Sequence, residues 1–167
     1  MGKKLVSVVM GSVSDLPIME EAIKILEELK ISFEVVVTSA HRLPEKTSLY
    51  ALNASSRGIE VIIAGAGHAA HLAGIIAAHS LLPVIGVPID SSSLNGIDAL
   101  LSTVQMPPGI PVAAMAIGRS GAKNAALFAA QILANKYPEI KEKINEYRDR
   151  MVAELEEKAK VIEEKYS

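Results

Sequence analysis

Short apolar runs alternate along the chain with segments whose apolar residues recur every three or four positions. Residues 5–10 (LVSVVM), 33–38 (FEVVVT), 60–64 (EVIIA), 83–88 (PVIGVP) and 112–117 (VAAMAI) have the length and content of strands. Between them, residues 16–30, 44–57, a stretch near 69–80, 94–104 and 121–135 read as helices. In the first helix Ile18, Ala22, Ile25 and Leu26 share a face, and Leu29 extends it. Pro44 fits the first turn of the second, where its missing N–H costs nothing. Strands that are apolar throughout, each followed by a helix, predict an α/β fold. Its sheet would be parallel and buried on both faces by helices, with right-handed crossovers.

The last segment differs in character. From 138 to 166 charged residues dominate, and Ile140, Ile144, Tyr147, Met151, Leu155, Ala159 and Ile162 form one narrow apolar stripe. At ~1.5 Å per residue this helix would run roughly 40 Å. A compact domain of this size has a radius of gyration of only ~15 Å. The expectation is a single α/β domain over 1–137 and an amphipathic helix over 138–167, part of whose stripe packs on a neighbouring subunit.

Composition narrows the function classes. A chain of 167 residues suits one domain, and 50% apolar residues with 4% aromatics give a core of Ala, Val, Ile and Leu. Lys plus Arg is 17 against 19 Asp plus Glu, a formal charge of -2, so no basic surface is set up for nucleic acid. The absence of cysteine removes disulfides, thiolate catalysis and Cys-ligated zinc. The N-terminal MGKKLVSVVMG reads as a first strand, because a signal peptide needs a longer apolar region. No run reaches ~18 apolar residues, so no membrane span is expected, and the default location is the cytoplasm.

In open parallel sheets ligands bind beyond the carboxyl ends of the strands, where strand order reverses. The chemistry-bearing residues of this chain follow strand ends. GSVSD (11–15) opens a helix after the first strand. Backbone N–H groups there, with the Ser12 and Ser14 hydroxyls, suit a phosphate. Asp15 either caps the helix or faces ribose hydroxyls, since an acid beside a phosphate is repelled. SAHR (39–42) follows the second strand. Arg42 offers a planar fork for a phosphate and Ser39 a hydroxyl. His41 can take a proton in one step and return it in the next. The plainer alternative is a surface-paired Arg42 and a His41 satisfying a carbonyl.

GAGHAAHLAG (65–74) follows the third strand. Its small residues suit either close approach of a flat ligand or close helix–sheet packing. His68 and His71 are three apart and would share a helix face. With His41 they suggest a metal trio, but no carboxylate cluster accompanies them, and no metal is expected. His79 reads as structural or exposed. QMPPGIPV (105–112) is a rigid loop that either walls the cleft or connects. The residues alone thus reach a cofactor-free site for a phosphorylated small molecule with a histidine acid–base, and stop short of a reaction.

The assembled motifs resemble the class I 5-(carboxyamino)imidazole ribonucleotide mutases of purine biosynthesis, also called the catalytic subunit of phosphoribosylaminoimidazole carboxylase. The resemblance runs from about residue 5 to about 137. It rests on MGSVSD, SAHR-P, VIIAGAG-AAHL-G, PVIGVP, LLSTVQMPPGIPVA and AIG…NAALFAAQIL, in order and spacing. It implies a three-layer αβα sandwich with a flavodoxin-like parallel sheet, and a catalytic domain over 1–137. It further implies a homo-octamer over whose subunits the long helix reaches, and a separate ATP-dependent synthetase as supplier of the ribonucleotide substrate.

The reaction implied moves a carboxylate from the exocyclic nitrogen to ring carbon-4, without metal, ATP or organic cofactor. His41 would be the catalytic acid and base. Ser12 and Asp15 would contact the ribose and phosphate end, Ser39 and Arg42 would help bind the phosphate, and Ser14 and Ala40 would also bind the substrate. Gly65, Ala66, Gly67, His68, His71 and Leu72 would line the remainder, with the backbone around Ala66 and Gly67 receiving carboxylate or carbon dioxide. Three positions depart from the usual pattern: His68 stands for a Gly, Ala73 for a Pro and Leu43 for a Thr. A His at 68 is uncomfortable if the backbone there needs positive φ, and its position suggests altered carbon dioxide handling, towards direct carboxylation. Two alternatives stand beside the mutase. The class II direct carboxylases typically carry SAHK and SNAL, which this chain lacks. A non-catalytic sensor of phosphoribosyl ligands would have no need of the titrating His in SAHR.

Overall fold

The computed structural model describes residues 3–167; the first two residues of the predicted N-terminal segment lie outside it. Among the described residues five parallel strands form one sheet in the order β2-β1-β3-β4-β5. They are β1 Val6–Met10, β2 Phe33–Val37, β3 Val61–Ala66, β4 Val84–Pro88 and β5 Ala113–Ala114. Helices α1 Leu16–Glu28, α2 Pro44–Ala54, α3 His71–His79, α4 Ile97–Val104 and α5 Arg119–Ala134 each follow a strand, and α6 Pro138–Tyr166 ends the chain. The result is the predicted αβα sandwich.

Continuous apolar strands divide their side chains between two cores by the period of two. Val6, Val8 and Met10 of β1, with Val61 and Ile63 of β3, face α1 and α5. There Met19, Ala22 and Leu26 meet an alanine face made of Ala122, Ala125, Ala126, Ala129 and Ala130. Val9, Ile62 and Ala64 point the other way, against Ala51 and Ala54 of α2 and Leu72, Ala73 and Ile76 of α3. Small residues set the approach distances. A Cβ added at Gly65, near the end of β3, would lie 2.3 Å from the sulfur of Met19, so any larger residue there would force that side chain to move.

The sheet departs from expectation at its two edges. β2 pairs only with β1, and on the α1 side Val35 and Val37 stay exposed, so this strand is not covered on both faces. β5 shrinks from the predicted six residues to Ala113–Ala114, in register with Ile85 and Gly86. Beyond them the chain keeps single hydrogen bonds, Met115 N–H to Gly86 O and Gly118 N–H to Pro88 O, at 2.9 Å each. Gly118, with φ 75°, then turns it into α5. α3 begins at His71 rather than near 69, because His68 (φ 55°) and Ala70 (φ 43°) are left-handed.

α6 is a single helix of 29 residues, ~44 Å at 1.5 Å per residue. Ile140 and Ile144 are buried in the α1–α5 core, and Tyr147 packs partly against it. Arg150 pairs with Glu28. Past that point the stripe is open: Met151, Leu155 and Ile162 are 55%, 69% and 57% exposed. No helix among the described residues is long and apolar enough to cross a membrane.

The order β2-β1-β3 carries a reversal. The chain steps from β1 to β2 on one side and returns to β3 on the other, so the loops after β1 and β3 diverge and leave a crevice between them.

Candidate active site

A cavity of about 680 Å3 fills that crevice. The β1 loop contributes Gly11, Ser12, Ser14 and Asp15, and the β2 loop Ser39, Ala40, His41 and Arg42. The β3 loop and the start of α3 contribute Ala66 to Leu72, and the β4 loop contributes Ser91. Gly65 does not line the cavity. It lies in β3 below it, with its carbonyl accepting from Gly11 N–H at 3.2 Å and its Cα against Met19. Residues 109–111 do not line this cavity: Gly109, Ile110 and Pro111 flank an apolar groove with His79, Leu81 and Leu82. His79 is exposed, as expected.

The β1 loop caps the start of the first helix and lines the cavity with the same residues. Val13–Asp15 make a short 3-10 turn leading into α1, and Ser12 caps it. The Ser12 hydroxyl accepts from Ser14 N–H at 3.3 Å and from the Ser14 hydroxyl at 2.8 Å, while Asp15 Oδ2 accepts from Ser12 N–H at 3.0 Å. This reciprocal box satisfies helix-start donors and also fixes the two serines and the aspartate on the cavity wall. Burial pushes the Asp15 carboxyl above its ordinary range. The N–H groups of Ser12 and Gly11 and the charges of His68 and Arg42 pull it partly back.

The β2 loop is built as a turn against α2. Arg42 N–H donates to Ser39 Oγ at 3.2 Å, and Leu43 N–H to Ser39 O at 2.8 Å. Beneath it the buried hydroxyls of Thr38 and Thr47 meet at 2.8 Å and tie the strand end to the helix. Arg42 Nη2 donates to Gly11 O at 3.2 Å, so its guanidinium lies beside the serines of the β1 loop. One cation and several hydroxyls thus share the β1–β2 end, an arrangement suited to a phosphate.

His41 reaches the opposite way. Its Nε2 lies 2.5 Å from Nδ1 of His71, with ring centroids 4.7 Å apart and planes at 78°. One of the two nitrogens carries the shared proton and the other accepts it. His71 is therefore in the site through the first turn of α3. His68 is not on a helix and does not share a face with His71. Its Nδ1 lies 3.5 Å from Ser91 Oγ. Among the described residues no three side chains of the ligating types converge to hold a metal.

Ser91 is the lining side chain that the strand-end reading passed over. It follows β4 as the other motifs follow β1, β2 and β3, in an Asp-Ser-Ser-Ser run, so the same rule marks it. Its closeness to β3 depends on Gly67, where an added Cβ would fall 2.0 Å from Ser91 Oγ and 3.2 Å from Ile89 O.

The profile of the family described as AIR carboxylase matches residues 5–154, from β1 into α6, with every loop of the cavity inside the match. The chain belongs to the AIR carboxylase family. An N5-carboxyaminoimidazole ribonucleotide mutase of Pyrococcus horikoshii is 61% identical over 162 residues, covering 97% of this chain and 90% of its own length. The mutase of the same name from Thermotoga maritima is 56% identical over 159 residues, covering 95% and 92%. A crystal structure of Treponema denticola PurE superposes with a TM-score of 0.82 at 28% identity, over 92% of this chain and 95% of that one.

Proposed function

We propose that this AIR carboxylase family member is an N5-carboxyaminoimidazole ribonucleotide mutase of purine biosynthesis. It moves the carboxylate of its substrate from the exocyclic nitrogen to ring carbon-4. Curated mutases at 56–61% identity support the reaction, and the cavity supplies groups of the right chemistry in the right order along the sheet edge. The observation that carries the mechanism is the placement of His41 at 2.5 Å from His71, in the cavity that also holds Arg42.

Arg42, Ser12, Ser14 and Ser39 hold the phosphate, and Asp15 takes the ribose hydroxyls. Ala40, Ala66, Gly67 and Leu72 present small or apolar surface to the imidazole ring. His41 gives its proton to the exocyclic nitrogen as the nitrogen–carboxyl bond breaks and carbon dioxide forms. Carbon-4 attacks the retained carbon dioxide, and His41 removes the proton left on that carbon. The proton lent in the first half returns in the second, so one imidazole suffices. His71 fixes which nitrogen of His41 bears the proton. Escape of carbon dioxide would abort the transfer, so exclusion of water matters.

The finer readings belong to the same proposal. The open stripe of α6 packs on other subunits of a homo-octamer. A separate ATP-dependent synthetase supplies the labile carboxyamino substrate, and the enzyme works in the cytoplasm. The test offers two substrates in parallel: the carboxyamino ribonucleotide, and aminoimidazole ribonucleotide with bicarbonate at a modest fixed concentration. Fast turnover of the first alone is expected; efficient turnover of the second would make the enzyme a direct carboxylase. His41→Asn should lower turnover by about 10²-fold or more while ligand affinity by calorimetry stays within a few-fold. Undiminished turnover would remove His41 from the chemistry; a parent protein that binds the ribonucleotide but turns over neither substrate would be a binding protein.

A further inference from the structure

The loop that carries His41 and Arg42 is short, running from the end of β2 at Val37 to Pro44 at the start of α2. Its exit is weakly held by its own side chains. Leu43 occupies the N-cap position of α2 and makes no side-chain cap bond. The loop is held from beneath instead, by two buried threonines, Thr38 at 1% and Thr47 at 0% exposure. Thr47 Oγ1 donates to Leu43 O at 2.9 Å and lies 2.8 Å from Thr38 Oγ1. A hydroxyl has one proton to donate, and a carbonyl only accepts. The proton of Thr47 is therefore committed to Leu43, and Thr38 is the donor to Thr47.

These bonds belong to a closed circuit around the loop. Thr38 N–H donates to Met10 O at 3.0 Å, which fixes Thr38 to the end of β1. From Thr38 the circuit passes through Thr47 to Leu43, whose N–H returns to Ser39 O at 2.8 Å. Arg42 N–H reaches Ser39 Oγ, and its guanidinium reaches the carbonyl of Gly11, the residue after Met10. His41 and Arg42 both lie between these anchors. We propose that Thr38 and Thr47 form a latch that positions His41 and Arg42 for turnover. Neither threonine lines the cavity, so they are positioning residues and act through the loop. A reacting group misplaced by about 1 Å can lower a rate ~10²-fold, so loosening the loop is costly even where the fold survives. The effect on turnover rests on the mutase reading of the site; the ordering of the loop does not.

The direction of the threonine bond predicts an order of effects. Thr47→Val takes the hydroxyl from Leu43 O and leaves the buried Thr38 proton without an acceptor. Thr38→Val removes only the donor to Thr47, whose own bond to Leu43 remains. Measured well below each melting midpoint, kcat should fall about fivefold or more in Thr47→Val and about two- to threefold in Thr38→Val. Thr47→Ser restores the hydroxyl and should restore kcat, and the double valine variant should be no slower than Thr47→Val, because the orphaned proton goes with it. Amide exchange followed by NMR reads the latch without any reaction. Relative to the amides of β1 and β3, those of Arg42 and Leu43 should exchange about tenfold faster in Thr47→Val, and faster than the parent in Thr38→Val. A lowered melting midpoint with parent-like kcat in Thr47→Val would overturn the proposal and make the pair merely structural. So would an unchanged exchange ratio. If Thr47→Val does not fold, the same two readouts in Thr38→Val decide. A parent enzyme that turns over neither substrate would overturn the mutase reading, while the exchange ratio would still decide the latch.

Discussion

Asp15 accepts the Ser12 N–H from a buried position, and its titration exposes the cost of that burial. Burial raises its folded-state carboxyl above the unfolded value of 3.8. The native state therefore keeps a proton over a window where the unfolded chain has already lost it. Stability falls as pH rises through that window, and above it the ionised carboxylate is a standing cost. Asp15→Asn removes the charge and keeps an acceptor for Ser12 N–H. Thermal melts should show this variant at least as stable as the parent at pH 7, with the advantage shrinking as pH falls towards 3.8 and gone below it. A less stable variant at pH 7 would mean that capping outweighs burial. At this scale His41, Arg42 and the two serines were legible because their types are unusual at strand ends. Ser91 was less so, since a serine run after a strand looks like any loop. The backbone of His68 was readable only as a condition, because a φ angle belongs to the path of the chain and not to the residue type.

The alanine face of α5 decides how closely two layers approach. Ala126 is fully buried in the core formed by α1, α5 and the sheet. Ala126→Leu adds volume where nothing can retreat, and overpacking of this kind costs about 1–3 kcal/mol. Urea unfolding should show a lower midpoint at an unchanged slope; an unchanged midpoint would mean that this interface is looser than the structure describes. The central strands β1, β3 and β4 were plain from sequence, because burial on both faces writes a continuous apolar run. The edges were not. Val35 and Val37 look like core residues, yet they stand in an edge strand where no helix of this chain covers them. β5 had apolar content enough for six residues, but pairing stops where its path leaves β4 for the turn at Gly118. The start of α3 was misplaced because Ala69 and Ala70 have high helix propensity, which the left-handed turn overrides.

Across the whole molecule, the outer half of α6 leaves its apolar stripe uncovered within the chain. Periodicity in the sequence revealed the stripe of α6 and its excess length, but no pattern within one chain names what covers it. If that stripe is the octamer contact, Met151→Glu together with Leu155→Glu should reduce the mass measured by light scattering well below eight subunits. The circular dichroism of a folded α/β domain should remain, because both residues are exposed within the subunit. An unchanged mass would place the contact elsewhere. The central claim is that the carboxylate crosses from nitrogen to carbon inside a closed site, and isotope transfer tests it most directly. Carboxyamino ribonucleotide labelled with carbon-13 at the carboxylate is turned over in unlabelled bicarbonate, and the 4-carboxy product is analysed by mass spectrometry. The account predicts that nearly all of the label appears in the product. A product carrying the isotope content of the solvent bicarbonate would contradict it.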